Sequence, residues 1–254
     1  HHDNLKSFGA CFGVSGGDER PMWFALDGEK AQYEYSYNYQ SWYPSAEYET
    51  NNTIKNVGLF DLTPFSKFEI KSDKAHQELQ KICTANIKNE PGKCVYTHML
   101  NADGGIETDL TVVCVDKNHF RIISSAATRE RDKFHINKHL PKNIKLKDIT
   151  DDLCVFGLFG PKSRDLLKTL SEDNFENDQF RFGFAKFITI DGVKIWTQRL
   201  SYVGELGYEL YVDLKDTKKI YELLIEKGKD FNLSNCGMHA MDIMRTESGF
   251  LHWG

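Results

Sequence analysis

The sequence lacks the short motifs that mark several large enzyme classes. It has no G-x-G-x-x-G fingerprint and no P-loop, which argues against a nucleotide or flavin held by a Rossmann unit within this chain. The zincin motif H-E-x-x-H is also missing. The six cysteines include no C-x-x-C pair, and the nine histidines show no ligand spacing apart from the pair at the start. We therefore expect no metal site.

Long apolar runs and an excess of positive charge are absent too. No stretch approaches the length of a membrane span, and the opening HHDNLKSFGACFG lacks the apolar region of a signal peptide. Lysine and arginine number 32 against 37 acidic residues, a net charge of -5, which argues against nucleic acid as a partner. The scattered cysteines have mostly apolar neighbours, which indicates buried, reduced thiols. We expect a cytoplasmic globular protein with no membrane partner.

Composition separates a lead-in segment from the rest of the chain. Residues 1–44 are rich in aromatic residues and glycine. Within them every second residue from Tyr33 to Tyr39 is a tyrosine, a period of two that predicts an extended strand. Residues 45–254 carry the main pattern of helices and strands. The last residues, TESGFLHWG, are apolar and aromatic, so we expect the natural polypeptide to continue beyond them.

Helical and strand-like patterns are interspersed over residues 45–254. The predicted helices are polar or amphipathic and span residues 46–55, 73–83, 128–139 and 216–227. The stretch KCVYTHMLNADGGIETDLTVVCVDKNHFRIISSA predicts three strands in a meander, with one turn at Asp103-Gly104-Gly105. Antiparallel sheets with flanking helices place the predicted fold in the α+β class.

One carboxylate stands out within this meander. Asp109 directly precedes the apolar run from Leu110 to Val113, although aspartate is a poor strand former because its side chain competes for nearby backbone groups. In an alternating strand Glu107 and Asp109 share one face. The pattern alone leaves two interpretations open, a solvated strand face and a functional carboxylate.

A second carboxylate follows a glycine-rich turn. In SYVGELGYELYV, Glu209 enters an apolar strand just after Gly204 and Gly207, and glycines permit close approach of the backbone to a ligand. A glutamate in this place can accept two hydrogen bonds from an amidine-like edge, such as that of a pterin or a purine. An ordinary hairpin with an exposed glutamate fits the pattern equally well.

Several segments in order resemble the aminomethyltransferase (glycine-cleavage T-protein) family. They are GLFDLTPFSKFEI, YTHMLNADGGIETDLTVV, SSAATRERD, GLFGPKSRDLL, SYVGELGYELYV and MRTESGF. The earlier stretch GGDERPMWF also resembles the entry to the folate-binding C-terminal half of dimethylglycine and sarcosine dehydrogenase. The family pattern there is Gly-Trp-Glu-Arg-Pro, and Asp18 stands here in place of the tryptophan.

The resemblance implies a fold and a function. It implies a T-protein-like folate-binding fold that lacks the family's C-terminal β domain, and tetrahydrofolate-dependent transfer of a one-carbon unit derived from a methylated amine. In the dehydrogenases a flavin oxidoreductase half precedes this region, so FAD would bind outside this chain. Alternatives within the superfamily are a stand-alone aminomethyltransferase, which takes its substrate from a lipoylated carrier protein, and a folate-dependent demethylase. A folate-binding module without catalysis is the alternative of a different class.

The resemblance also assigns roles to individual residues. Asp109 corresponds to the family's catalytic carboxylate, which accepts a proton or stabilises positive charge. Glu209 corresponds to the glutamate that binds the pterin edge, and Arg245 to an arginine that pairs with the glutamate tail of the cofactor. Ser125 replaces a family asparagine. The implied cofactor-binding residues are Glu209, Tyr202, Tyr96, Arg245 and Ser125.

Overall fold

The computed structural model describes residues 1–253, which form seven α-helices and thirteen strands. The helices are α1 (His2–Ser7), α2 (Tyr43–Lys55), α3 (Ala75–Ile82), α4 (Arg129–His139), α5 (Ser163–Leu170), α6 (Thr217–Gly228) and α7 (Met238–Glu247). The strands are β1 (Ala10–Ser15), β2 (Asp18–Phe24), β3 (Val57–Asp61), β4 (Ser66–Lys71), β5 (Cys94–Leu100), β6 (Ile106–Asp116), β7 (His119–Ser124), β8 (Leu146–Asp148), β9 (Leu153–Phe159), β10 (Phe184–Ile190), β11 (Val193–Arg199), β12 (Gly207–Asp213) and β13 (Leu233–Cys236). None of these helices is long and apolar enough to cross a membrane.

Two large sheets organise the chain. One has six strands in the order β10-β11-β12-β9-β3-β13, and the other has five in the order β5-β6-β7-β4-β8. Strands β1 and β2 form a separate hairpin. The pairs are antiparallel except for β13 with β3, which run parallel. The predicted α+β class with antiparallel sheets and flanking helices is confirmed.

The predicted meander is present as β5, β6 and β7. Its first turn is held by Asn101, whose side-chain oxygen accepts hydrogen bonds from the backbone N–H groups of Asp103 and Gly105 at 3.0 and 2.9 Å. Gly104 has a φ of 81°, a conformation that costs glycine little. The turn therefore fixes the β5–β6 register locally, and this register decides where Asp109 points.

A hydrophobic cluster joins the two sheets. It contains Cys94 and Val113 from the five-stranded sheet and Trp196 and Tyr211 from the six-stranded sheet. We call the region around these four residues the inter-sheet space. Side chains that point into it come from both sheets, so residues distant in sequence meet there.

The lead-in segment differs from the sequence-based prediction in one respect. The strand predicted over Tyr33–Tyr39 is wrong, since these residues form bends and irregular backbone. The side chains of Tyr35, Tyr37 and Tyr39 are exposed and no strand pairs with them, so the alternation reflects no sheet face.

Earlier parts of the lead-in segment pack into the molecule. Phe24 belongs to the core cluster beneath the six-stranded sheet. The buried Glu49 of α2 accepts hydrogen bonds from the backbone N–H groups of Phe24 and Gly237, both at 2.7 Å. One carboxylate thus ties β2 and the start of α7 to α2.

Candidate functional site

The first predicted site residue, Asp109, lies in the regular part of β6. Leu110 and Val112 are buried on one face of this strand, and Asp109 lies on the other face, which it shares with Val113 of the inter-sheet space. The Tyr96 hydroxyl donates a hydrogen bond of 2.9 Å to Asp109 Oδ2. An aspartate is tolerated in this strand because its side chain has a partner on the neighbouring strand instead of competing for the backbone.

The contact with Asp109 changes the acidity of Tyr96. Its side chain is 57% exposed, and its pKa is raised by burial of the hydroxyl and then by the hydrogen bond and charge of Asp109. His98 is the residue directly opposite Asp109 in the β5–β6 ladder, and its Nε2 atom lies 3.5 Å from the Tyr96 hydroxyl. Three polar side chains therefore share one end of the sheet.

The second predicted site residue, Glu209, lies on β12. It shares a strand face with Tyr211, two residues further on, and this face points into the inter-sheet space. The Tyr211 hydroxyl donates a hydrogen bond of 2.8 Å to Glu209 Oε2. The residue keeps some solvent exposure, but burial around the carboxyl group raises the pKa of Glu209 to about 7, against the lowering effect of the Tyr211 bond.

One contact links the surroundings of Glu209 to the opposite sheet. Gln198 is the direct neighbour of Glu209 in the β11–β12 ladder, and the Cys94 thiol of β5 lies 3.9 Å from the Gln198 side-chain oxygen. Cys94 is itself the neighbour of Val113 on β6. Asp109 is four residues from Val113, a distance of roughly 13 Å along an extended strand. The two carboxylates therefore face the same space from opposite sheets, with Asp109 further along it.

Tyr202 and Arg245 lie near the Asp109 end. The pKa of Tyr202 is raised by burial, with a lowering effect from Arg245 and further raising effects that include the charge of Asp109. The Tyr202 hydroxyl donates to the carbonyl of Leu251 at 3.4 Å. The Arg245 guanidinium is engaged on its own helix, since its Nε atom donates to Asp242 Oδ1 at 3.2 Å. A ligand carboxylate at Arg245 would have to compete with this partner.

Ser125 has a local structural role. Its hydroxyl accepts a hydrogen bond from the backbone N–H of Ala127 at 3.3 Å and caps a short 3₁₀ helix. The last residue pair of the β6–β7 ladder is Leu110 with Ser124. Because the strands are antiparallel, Asp109 and Ser125 are the adjacent residues just beyond this pair. Ser125 is thus near the site, and its hydroxyl accepts one hydrogen bond from the backbone while its O–H remains able to donate.

One group of side chains among residues 1–253 has the composition of a metal site, namely His1, Asp61 and Cys154. His1 Nε2 lies 2.9 Å from Asp61 Oδ2, and His1 Nδ1 lies 4.0 Å from Cys154 Sγ. Burial alone would lower the pKa of His1, but the hydrogen bond and charge of Asp61, with support from Cys154, raise it to about 10. Each ring nitrogen faces a different partner and the raised pKa favours the protonated ring, so the group suits an ion pair better than a metal site.

One surface depression lies away from the predicted site residues. A cavity of about 500 Å³ is lined by residues between Leu170 and Asp173 and by the turn at Asp191 and Gly192. Three of its lining residues are acidic, and none is a predicted site residue. It lies beyond the ends of α5 and β10, so it plays no part in the candidate site.

Sequence reasoning missed the residues that connect the two carboxylates. Gln198 and Cys94 are in no recognisable motif, and Tyr211 lies in the family-like segment SYVGELGYELYV but received no role there. The only available signal was that Tyr211 stands two residues after Glu209 and so shares its strand face. Gln198 and Cys94 join the group through the β11–β12 ladder and through packing between sheets, which a linear pattern does not reveal.

Comparison with known proteins gives a family for the whole chain. The GCVT N-terminal domain family matches residues 1–254. The chain is 35% identical over 254 residues to 4-methylaminobutanoate oxidase (formaldehyde-forming) of Paenarthrobacter nicotinovorans, which covers 100% of this chain and 31% of that protein. It is 31% identical over 245 residues to the mitochondrial dimethylglycine dehydrogenase of Rattus norvegicus, which covers 95% of this chain and 28% of that protein. The chain thus spans about three tenths of the length of these relatives.

A solved structure gives the fold. The glycine cleavage system aminomethyltransferase T from Bartonella henselae superposes with a TM-score of 0.81 at 19% sequence identity, covering 99% of this chain and 62% of that one. At this identity the likeness establishes the fold alone, and the predicted T-protein-like fold is confirmed. With the family match over its full length, the chain belongs to the GCVT N-terminal domain family.

Proposed function

We propose that this chain is the tetrahydrofolate domain of a dimethylglycine or sarcosine dehydrogenase-like enzyme and transfers a one-carbon unit to bound tetrahydrofolate. A single observation carries this proposal. Asp109 with Tyr96, and Glu209 with Tyr211, face the same inter-sheet space from opposite sheets. Glu209 would bind the polar edge of a pterin ring at one end of this space. Asp109 would act on the reacting nitrogen at the other end.

The residues around Glu209 fit the pterin ring. Tyr211 bonds one carboxylate oxygen of Glu209 and leaves Oε1 available to donors of the ring. Beside it the Gln198 amide nitrogen is buried and has no hydrogen-bond partner among the described residues. The site therefore offers an acceptor and a donor side by side, as the edge of a 2-amino-4-oxopteridine requires.

Asp109 would act at the reacting end. When bound, tetrahydrofolate supplies the nitrogen that takes up the one-carbon unit. The Tyr96 hydroxyl holds Oδ2 of Asp109, which leaves Oδ1 to accept a proton or to stabilise positive charge. Tyr202 and Arg245 lie near this end, where the glutamate tail of the cofactor would leave the protein.

The one-carbon unit would come from a part of the parent protein outside this chain. The two relatives are an oxidase and a dehydrogenase by name, and the chain matches about three tenths of each. We infer that a flavin oxidoreductase region of the same parent polypeptide oxidises a methylated amine and delivers its carbon. A lipoylated carrier protein would take this role if the chain were a stand-alone aminomethyltransferase.

Two substitutions separate binding from transfer. In an anaerobic calorimetric titration with tetrahydrofolate, Glu209→Ala should weaken binding about tenfold to a hundredfold, the loss of a charged hydrogen-bond acceptor. Asp109→Ala should bind with near wild-type affinity but abolish formation of 5,10-methylenetetrahydrofolate in the full-length natural protein.

Asp103→Ala, in the exposed turn before β6, is the matched control and should change neither property. Wild-type affinity in Glu209→Ala would contradict the binding role. An unchanged product yield in Asp109→Ala would contradict the catalytic role.

A further inference from the structure

Gln198 carries one of twelve buried side-chain polar atoms that have no hydrogen-bond partner among the described residues. Its side chain is fully enclosed, with no exposed surface. Its amide nitrogen has no acceptor among residues 1–253, although an unpaired buried donor destabilises a folded protein. Buried polar groups in folded proteins are almost always paired. An acceptor from outside the chain is therefore the natural partner for this N–H group.

The position of Gln198 identifies where that acceptor would sit. Gln198 pairs with Glu209 across the β11–β12 ladder, and directly opposite residues have Cβ atoms about 4.5–5.5 Å apart. Since paired residues point to the same side of a sheet, the amide stands next to the carboxylate, on the side of the inter-sheet space. A ligand that donates to Glu209 would have its next ring atom within reach of Gln198.

One neighbour favours one orientation of the amide. The Cys94 sulfur lies 3.9 Å from the Gln198 side-chain oxygen and 3.7 Å from the Gly92 carbonyl oxygen, and both oxygens are acceptors for its proton. Burial raises the pKa of Cys94, so the sulfur keeps its proton and remains a donor. With its oxygen turned toward Cys94, the Gln198 side chain presents its nitrogen, a donor, on the other side.

We propose that Gln198 is a specificity-determining residue, whose amide N–H donates to the C4 carbonyl oxygen of the pterin while Glu209 accepts from the adjacent N3–H and 2-amino groups. This rests on the proposed folate function and deepens it. Glu209 and Gln198 together match the whole pterin edge, whose 2-amino group and N3–H are donors and whose C4 carbonyl is an acceptor. A 4-amino pteridine carries a donor in place of the carbonyl and has no hydrogen on N3, so it meets the Gln198 N–H with another N–H and Glu209 with an acceptor nitrogen.

The test compares tetrahydrofolate with its 4-amino counterpart, tetrahydroaminopterin, by anaerobic calorimetric titration of the protein. The wild type should bind the 4-oxo compound about tenfold to a hundredfold more tightly. Gln198→Leu, which has no donor, should lose the part of this preference that comes from the C4 substituent and keep the part that comes from N3 and Glu209. Gln198→Glu, which presents an acceptor when ionised, should shift the preference further toward the 4-amino compound.

Gln179→Leu, an exposed glutamine, is the matched control and should keep the wild-type preference. Circular dichroism checks that each variant folds, and the comparison of the two ligands on the wild type needs no variant at all. Equal binding of both compounds by the wild type, or an unchanged preference in a folded Gln198→Leu, would overturn the proposal for Gln198 alone. Absence of binding of either compound would overturn the folate function itself.

Discussion

At the scale of single residues, the candidate site consists of carboxylates that are each held by a tyrosine. Tyr96 bonds Asp109 and Tyr211 bonds Glu209, at 2.9 and 2.8 Å. The two tyrosines differ in exposure, because Tyr96 is largely open to solvent and Tyr211 is buried. The open pair suits proton exchange with a substrate, and the enclosed pair suits recognition of a fixed edge.

Tyr96→Phe tests the first pair. The substitution removes one hydrogen bond to a charged group, worth about 1.5–3 kcal/mol, so we expect one-carbon transfer to slow roughly tenfold to a hundredfold. Because Tyr96 is 57% exposed, the melting temperature should stay close to that of the wild type. Steady-state kinetics of the full-length protein with tetrahydrofolate measures the effect. A wild-type rate would mean that the bond does not matter for catalysis.

The pKa of Glu209 predicts how folate binding depends on pH. Only the ionised carboxylate accepts two hydrogen bonds, and in the free protein burial raises its pKa to about 7. Affinity should therefore be maximal above this pH and fall on the order of tenfold per pH unit below it. Titrations of tetrahydrofolate between pH 6 and 8 measure this slope. Glu209→Gln should bind weakly with no such slope, whereas a flat wild-type profile would contradict the role of the carboxylate.

The sequence was sufficient to select both carboxylates, but only through the resemblance to a family. Pattern alone favoured a solvated strand face for Asp109, and it left an exposed hairpin glutamate as open as a binding role for Glu209. It gave no indication of Gln198 or Cys94, because their contact forms between sheets. Roles that depend on a partner more than a hundred residues away are not encoded in local spacing.

At the scale of helices and strands, sequence patterns predicted the elements that are held together by contacts between residues close in sequence. The meander β5–β6–β7 was predicted because the Asn101–Gly105 turn contains its own hydrogen bonds. The strand predicted at Tyr33–Tyr39 was wrong because alternation without a pairing edge makes no sheet. The parallel pairing of β13 with β3 was not predicted, since nothing near either strand in sequence specifies it.

The five-stranded sheet contains a charged group with a predictable acid response. Glu69 on β4 lies opposite Arg121 on β7, with Arg121 NH2 at 2.8 Å and His119 Nε2 at 3.1 Å from its Oε1. Burial would raise the pKa of Glu69, but the close contact with His119 and the hydrogen bond and charge of Arg121 outweigh it and hold the pKa at about 2. A depressed carboxyl pKa stabilises the fold above the unfolded value of 4.5, and the stabilisation is lost as pH falls toward 2.

Glu69→Gln should therefore lower the free energy of unfolding by about 3 kcal/mol at pH 6. The gap between wild type and variant should shrink as the pH falls from about 4.5. Urea unfolding followed by circular dichroism at pH 6, 5, 4 and 3 measures it. Glu172→Gln, an exposed substitution, should match the wild type throughout. A gap that does not change with pH would show that the charge of Glu69 is not its source.

At the scale of the whole molecule, the lead-in segment is held to the sheets by a few buried contacts. Phe24 packs in the core of the six-stranded sheet, and Glu49 bonds both Phe24 and Gly237. Gly237 has no room for a side chain, because a Cβ there would lie 2.2 Å from the backbone of Met22. Strand β2, α2 and the start of α7 therefore meet at one buried point, and the carboxylate of Glu49 satisfies the backbone there.

Glu49→Ala tests whether this point holds the parts of the molecule together. It leaves two buried N–H groups unpaired, at about 1–3 kcal/mol each, so we expect the free energy of unfolding to fall by roughly 2–6 kcal/mol and the melting temperature by about 5–20 °C. Hydrogen exchange at the Phe24 amide should quicken more than exchange within β6. Glu47→Ala, exposed on the same helix, is the matched control and should melt like the wild type. Equal melting of the two variants would mean that packing of Phe24 alone fixes the lead-in segment, because the hydrogen bonds would then contribute nothing measurable.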